Sequence, residues 1–179
     1  DGIKEKNINF RIALLAKGKL EEKGFRVLLT REKDAYISKE DRAKFANRMG
    51  ADAFVSIHQN TFEDASVFGL ETWYDGKDAE GESQRLAGQT LLSTGAEERE
   101  LHGDADFHVT SSTQMPSCLI ETGFLSNREE RDNLKDAQYQ EKIAEGIAQG
   151  IDLYFHPKTM YLTFDDGPHP YYTEQLLDG

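Results

Sequence analysis

The chain of 179 residues has a single cysteine, Cys118, no apolar run long enough to cross a bilayer, and few bases for its acids, 21 Lys and Arg against 33 Asp and Glu. One cysteine excludes an internal disulfide and a cysteine-rich zinc knuckle, and it leaves the cellular compartment open. The missing apolar run predicts no membrane-spanning helix, and the polar, charged opening residues predict no signal peptide within these residues. A formal net charge of -12 opposes binding to a phosphate backbone, which needs Lys and Arg clustered on one face, so no nucleic-acid partner is expected. Internal repeats and low-complexity segments are absent as well. What is present is a hydrophobic content of 37%, enough for one domain with a real core and too little chain for two of ordinary size. One domain plus a remnant is the expectation.

Apolar residues at helical spacing, Ile8, Ile12, Leu15 and Leu20, predict a helix from Glu5 to Lys23 with Gly24 as its stop. Phe25 to Thr30 reads as a strand. Ser38 to Asp41 resembles a capping arrangement that opens a helix running to Gly50. Strands are predicted at Phe54 to His58, Gly69 to Tyr74 and Cys118 to Glu121, and helices at Glu80 to Leu92, Arg128 to Leu134 and Tyr139 to Phe155. Residues 93 to 116 read mainly as loop. Strands alternating with helices predict an α/β fold, a three-layer α/β/α domain whose mostly parallel mixed sheet is flanked by helices. In such sheets ligands gather beyond the carboxyl ends of the strands.

Two of those strands run into chemistry-bearing residues, His58 and Glu121. An imidazole is a common zinc ligand, and a carboxylate near an activated water can take its proton, so the pair points to a hydrolytic site. Each residue also has a plainer interpretation. His58 alone reads as a hydrogen-bonded strand residue, and Glu5 alone as a first-turn acid that complements the helix dipole. Glu121 is harder to explain structurally, because a carboxylate on a buried strand is costly to desolvate without a partner or a metal. Cys118 falls on the face opposite Leu119 and Glu121 and reads as a small buried hydrophobe. His102 and His108 fall in a polar loop, as surface groups or as the lining of a groove.

Longer blocks carry more. Gly2 to Asn7 opening a helix, Val27 to Arg31, Asp41-Arg42-Ala43 with Ala46-Asn47, Ala51-Asp52 leading to Ser56-Ile57-His58-Gln59-Asn60, Met115-Pro116, and Glu121 to Asn127 follow one another in order. Together they resemble the zinc-dependent N-acetylmuramoyl-L-alanine amidases of the type 3 family, from Asp1 to about Phe155. The resemblance implies a peptidoglycan hydrolase that cuts the amide between the lactyl group of muramic acid and the L-alanine of the stem peptide. It also implies Zn2+ as cofactor, held by two histidines and a glutamate. Glu5 and His58 match two of those ligands, and the family's first histidine lies in a loop upstream of Glu5, before this sequence begins. Glu121 matches the catalytic glutamate, which deprotonates the zinc-bound water and protonates the departing amine. Asn60, Arg99, His102 and His108 are expected groove contacts for the muropeptide. The stretch from Tyr74 to Ser117 has no room for a long blocking helix, so constitutive access is expected.

After a boundary near His156-Pro157-Lys158, Leu162 to Pro170 resembles the first motif of polysaccharide deacetylases of the NodB-homology type. There Asp165 would be the catalytic base and Asp166 a metal ligand. The expected organisation is therefore an amidase catalytic domain over 1–156, lacking its first strand and first metal-binding loop, and a truncated deacetylase start over 157–179. A zinc amidase, a carbohydrate deacetylase and a non-catalytic wall-binding module all remain open on sequence. The substrate implied places the protein outside a bacterial cell or in its wall.

Overall fold

The computed structural model describes residues 4–75, 81–94, 98–103 and 107–158. Its first element, α1 (Glu5–Glu22), forms because Ile8, Ile12, Ala16 and Leu20 recur every four residues and are all buried as one stripe. The helix α2 (Lys39–Met49) starts where the Ser38 hydroxyl accepts the Asp41 N–H at 3.1 Å, and ends at Gly50 in the left-handed region, φ 60°. The chain then enters β1 (Phe54–Asn60), β2 (Leu70–Tyr74), α3 (Glu82–Thr94), β3 (Glu98–His102), the short α4 (His108–Ser111) and β4 (Ser117–Phe124). Then come α5 (Arg128–Asn133), capped by the Asn127 side chain, and α6 (Ala137–Phe155), capped by Asp136.

Among the described residues four strands lie in the order β1-β4-β2-β3. β4 runs parallel to β1 and antiparallel to β2, and β2 runs parallel to β3, which gives the expected mixed, mostly parallel sheet. Alternation along the strands divides its residues between two faces. Val55, Ile57, Leu70, Cys118 and Ile120 join the main core with the inner stripes of α1, α3 and α6. Phe54, Trp73 and Leu119 meet Ala46 of α2 and Val109 of α4 in a smaller cluster on the other side. Helices therefore cover both faces, as the three-layer expectation requires.

The main core is tightest where α6 crosses α3. A Cβ added at Gly146 would stand 2.2 Å from the Thr94 Cα, and one at Gly150 would stand 2.5 Å from the Thr90 Cα. Only glycine allows the two backbones to approach this closely.

The structure changes three expectations. Phe25 to Thr30, read as a strand, pairs with no strand among the described residues, although Phe25 and Val27 pack against the core. Strand propensity describes a side chain that fits a pleated surface, and the ladder itself must come from a neighbour. Residues 93 to 116, read as loop, contain β3 and α4. Finally, His58 and Glu121 do not end their strands, since β1 continues to Asn60 and β4 to Phe124. The segment 159–179, with the expected deacetylase residues Asp165 and Asp166, lies outside the described residues.

Candidate active site

Register brings the chemistry together. In the parallel ladder His58 of β1 stands opposite Glu121 of β4, and in the antiparallel ladder Glu121 stands opposite Glu71 of β2. Directly opposed residues share a face, so His58, Glu121 and Glu71 form one row across three adjacent strands. Glu71 was not singled out in the sequence, where it falls inside the strand predicted at Gly69 to Tyr74. The signal that could have found it is the one that marked Glu121, a carboxylate set among buried strand residues.

Glu5, the first residue of α1, reaches this row. Its Oε1 lies 2.9 Å from His58 Nδ1, and it also accepts the Gln59 N–H at 3.4 Å and the Asn9 Nδ2 at 3.3 Å. The hydrogen bond from His58 holds the Glu5 carboxyl below its ordinary range. His58 Nε2 faces the Ser56 hydroxyl at 3.1 Å, so both ring nitrogens are engaged.

Glu121 is different in kind. Burial pushes its carboxyl up to about 7, and the charges of Glu5 and Glu71 add to the effect while His58 opposes it. Its Oε2 is buried and accepts no hydrogen bond among the described residues. An unpaired buried carboxylate is expensive to keep, and one whose proton affinity lies near neutrality suits proton transfer. Beside it Asn60 of β1 donates its Nδ2 to Glu71 Oε2 at 2.9 Å, across the intervening β4.

The remaining candidates are placed less centrally. His102 belongs to β3 rather than to a loop, opposite Trp73, and stacks on that indole with ring centroids 3.8 Å apart. Arg99 falls at the register shift of the β2–β3 ladder, where Leu70 pairs with Glu98 and Glu71 with Glu100. His108 opens α4 and meets the Ser112 hydroxyl at 3.3 Å. Cys118 is fully buried and its thiol is pushed up to about 12 by burial, so it is core, as its face predicted.

Metal-ligand chemistry can be tested on the Glu5–His58 pair. Two ligands of one tetrahedral zinc, bound at about 2.0–2.2 Å, stand roughly 3.4 Å apart, so a small parting of the 2.9 Å contact suits these two donors to one ion. Among the described residues no group of three or more His, Cys, Asp or Glu is arranged to hold a metal. The pair fits as two members of a ligand set.

A carboxylate poised near neutrality, an oxygen–nitrogen donor pair beside it and a sheet that aligns them define a hydrolase-type site in an α/β domain. The sequence profile of N-acetylmuramoyl-L-alanine amidase matches residues 1–153, and the chain belongs to that family. It is 38% identical over 159 residues to YqiI, an uncharacterized protein of Bacillus subtilis, covering 87% of this chain and 76% of that protein. Against the N-acetylmuramoyl-L-alanine amidase LytC of the same organism it is 35% identical over 159 residues, covering 87% of this chain and 32% of LytC. The crystal structure of an N-acetylmuramoyl-L-alanine amidase from Clostridium difficile 630 superposes with a TM-score of 0.81 at 34% identity, covering 89% of this chain and 88% of that one.

Proposed function

We propose that this chain hydrolyses peptidoglycan at the amide between N-acetylmuramic acid and the L-alanine of the stem peptide, with Glu121 as its proton-transfer group. The observation that carries the proposal is Glu121 itself, half-buried, with an Oε2 that is buried and unpaired among the described residues and a carboxyl pushed up to about 7. Water attacks the lactyl carbonyl carbon, Glu121 takes the proton that this water loses, and the C–N bond breaks as Glu121 returns a proton to the departing L-alanine nitrogen. The products are a free lactyl carboxylate and a free amine. A carboxyl near pH 7 can serve both as base and as acid, which is what an amide with a poor leaving group requires.

Glu5 and His58 would hold zinc. When bound, zinc supplies Lewis acidity that polarises a carbonyl and makes water more acidic. Without the ion, Glu5 and Ser56 hold the two edges of the His58 ring, and the charge of Glu5 raises the proton affinity of Glu121. The same proposal places the protein in a bacterial cell wall or outside the cell. Residues 162–170 are assigned, on their motif alone, as the beginning of a deacetylase segment with Asp165 and Asp166 as base and metal ligand.

The test is mass spectrometry of defined muropeptides incubated with the chain and added zinc, beside Glu121→Gln. Release of intact stem peptide bearing a free L-alanine amine, lost in the variant, is the expected result. Release of acetate instead would favour deacetylation, and binding without release would favour a wall-binding module.

A further inference from the structure

The row of three residues has a fourth partner whose orientation is fixed from two sides. Asn60 donates its Nδ2 to Glu71 Oε2 at 2.9 Å, while its own Oδ1 accepts the Thr61 N–H at 2.8 Å. A backbone N–H can only donate and a carboxylate acceptor requires a donor, so the two contacts together leave one amide orientation. The backbone of Asn60 is held as well, by the Leu125 N–H on its carbonyl at 2.8 Å. One Nδ2 proton then has no partner among the described residues. Glu71 is 5% exposed and directly opposite Glu121 in the ladder, so the bridge from Asn60 lies beside the proton-transfer group.

A half-buried carboxamide whose polarity is imposed from both ends presents a hydrogen-bond donor and no acceptor of comparable freedom. We propose that Asn60 donates its remaining amide proton to a carbonyl oxygen of the muropeptide, and that Glu71 is the positioning residue that sets this polarity. The inference rests on the amidase proposal and deepens it, because it assigns which end of the amide meets substrate. A donor fixed before substrate arrives needs no reorganisation when negative charge grows on the carbonyl oxygen, and removing such donors costs about 10²–10³ in kcat in other hydrolases. Glu71 acts through Asn60, so its removal costs less than the loss of the donor itself.

Four variants separate the roles, assayed on a disaccharide–tetrapeptide muropeptide. Asn60→Asp keeps the shape, removes the donor and should lower kcat at least tenfold with KM within twofold. Glu71→Ala should lower kcat several-fold in the same pattern, and Glu71→Gln, which retains an acceptor oxygen for Asn60, should restore most of it. The double variant Asn60→Asp with Glu71→Ala should be no slower than Asn60→Asp alone. Exchange of the Asn60 side-chain amide protons, followed by NMR, should be slow in the wild type and fast in Glu71→Ala. Unchanged kcat in Asn60→Asp, or equal damage from Glu71→Gln and Glu71→Ala, overturns the proposal, as does amide exchange that ignores Glu71. If Glu71→Ala does not fold, Asn60→Asp and Glu71→Gln decide. If the wild type releases no stem peptide, the amidase proposal fails, and the amide exchange still decides whether Glu71 holds Asn60.

Discussion

The two faces of the sheet are built from the same strands one residue out of step, and they carry opposite kinds of energy. On one face Val55, Ile57, Cys118 and Ile120 are packed among α1, α3 and α6, and their burial drives folding. On the other, Ser56, His58, Glu121 and Glu71 hold polar atoms near one another at the edge of a smaller apolar cluster. Stability comes from the first face, and the second retains a carboxylate that opposes folding when charged. A one-residue slip would exchange the two sets, so the close packing of the first face is also what aims the second.

That contrast can be broken most severely at Glu121. Glu121→Gln should reduce muropeptide hydrolysis by about 10²–10⁴-fold, the usual contribution of a positioned acid or base. The same change should stabilise the metal-free protein. The carboxyl stands at about 7 in the folded chain against 4.5 ordinarily, so the folded state binds the extra proton between those values and stability falls as pH rises through them. Denaturant unfolding should show the variant gaining up to about 3 kcal/mol at pH 8 and almost nothing at pH 4. Wild-type activity should fall on acidification, as Glu121 takes up a proton and can no longer act as a base.

The opposite face should respond to volume instead. Ile120→Ala, at a fully buried position, should cost about 2–5 kcal/mol in chemical denaturation, with activity per folded molecule nearly unchanged. Gly146→Ala should cost about 1–3 kcal/mol by forcing α6 off α3. If Gly146→Ala were neutral, the close approach to Thr94 would have to be softer than the 2.2 Å distance implies. The smallest effect belongs to neither face. Lys19 bridges Glu141 at 2.6 Å and Glu145 at 2.9 Å on the surface between α1 and α6, and Lys19→Met should shift stability by about 1 kcal/mol or less.

The helices and the two site-bearing strands were legible because their signals are local. Ile8, Ile12 and Leu20 repeat at helical spacing, Ser38 announces a cap, and the apolar runs before His58 and Glu121 announce buried strands. Glu5, His58 and Glu121 were legible as a group only through the family blocks around them, since α1 and β4 are far apart in the chain. Three features were not legible, for related reasons. Glu98 to His102 is almost entirely polar, and it is a strand only because β2 supplies the ladder. Phe25 to Thr30 has strand-like residues and no such neighbour among the described residues. Glu71 acquires its meaning from being opposite Glu121, a fact of register that alternation within one strand does not contain.

The position of β4 has a kinetic consequence. Among the described strands it comes last in the chain, yet it lies between β1 and β2, so no earlier fragment brings Glu121 beside His58. Joining Phe54 to Ser117 and Tyr74 to Cys118 closes long loops, and contacts of such sequence separation form slowly. Catalytic competence should therefore arrive with the final docking of the central strand, which makes the onset of hydrolysis a clock for the completion of folding.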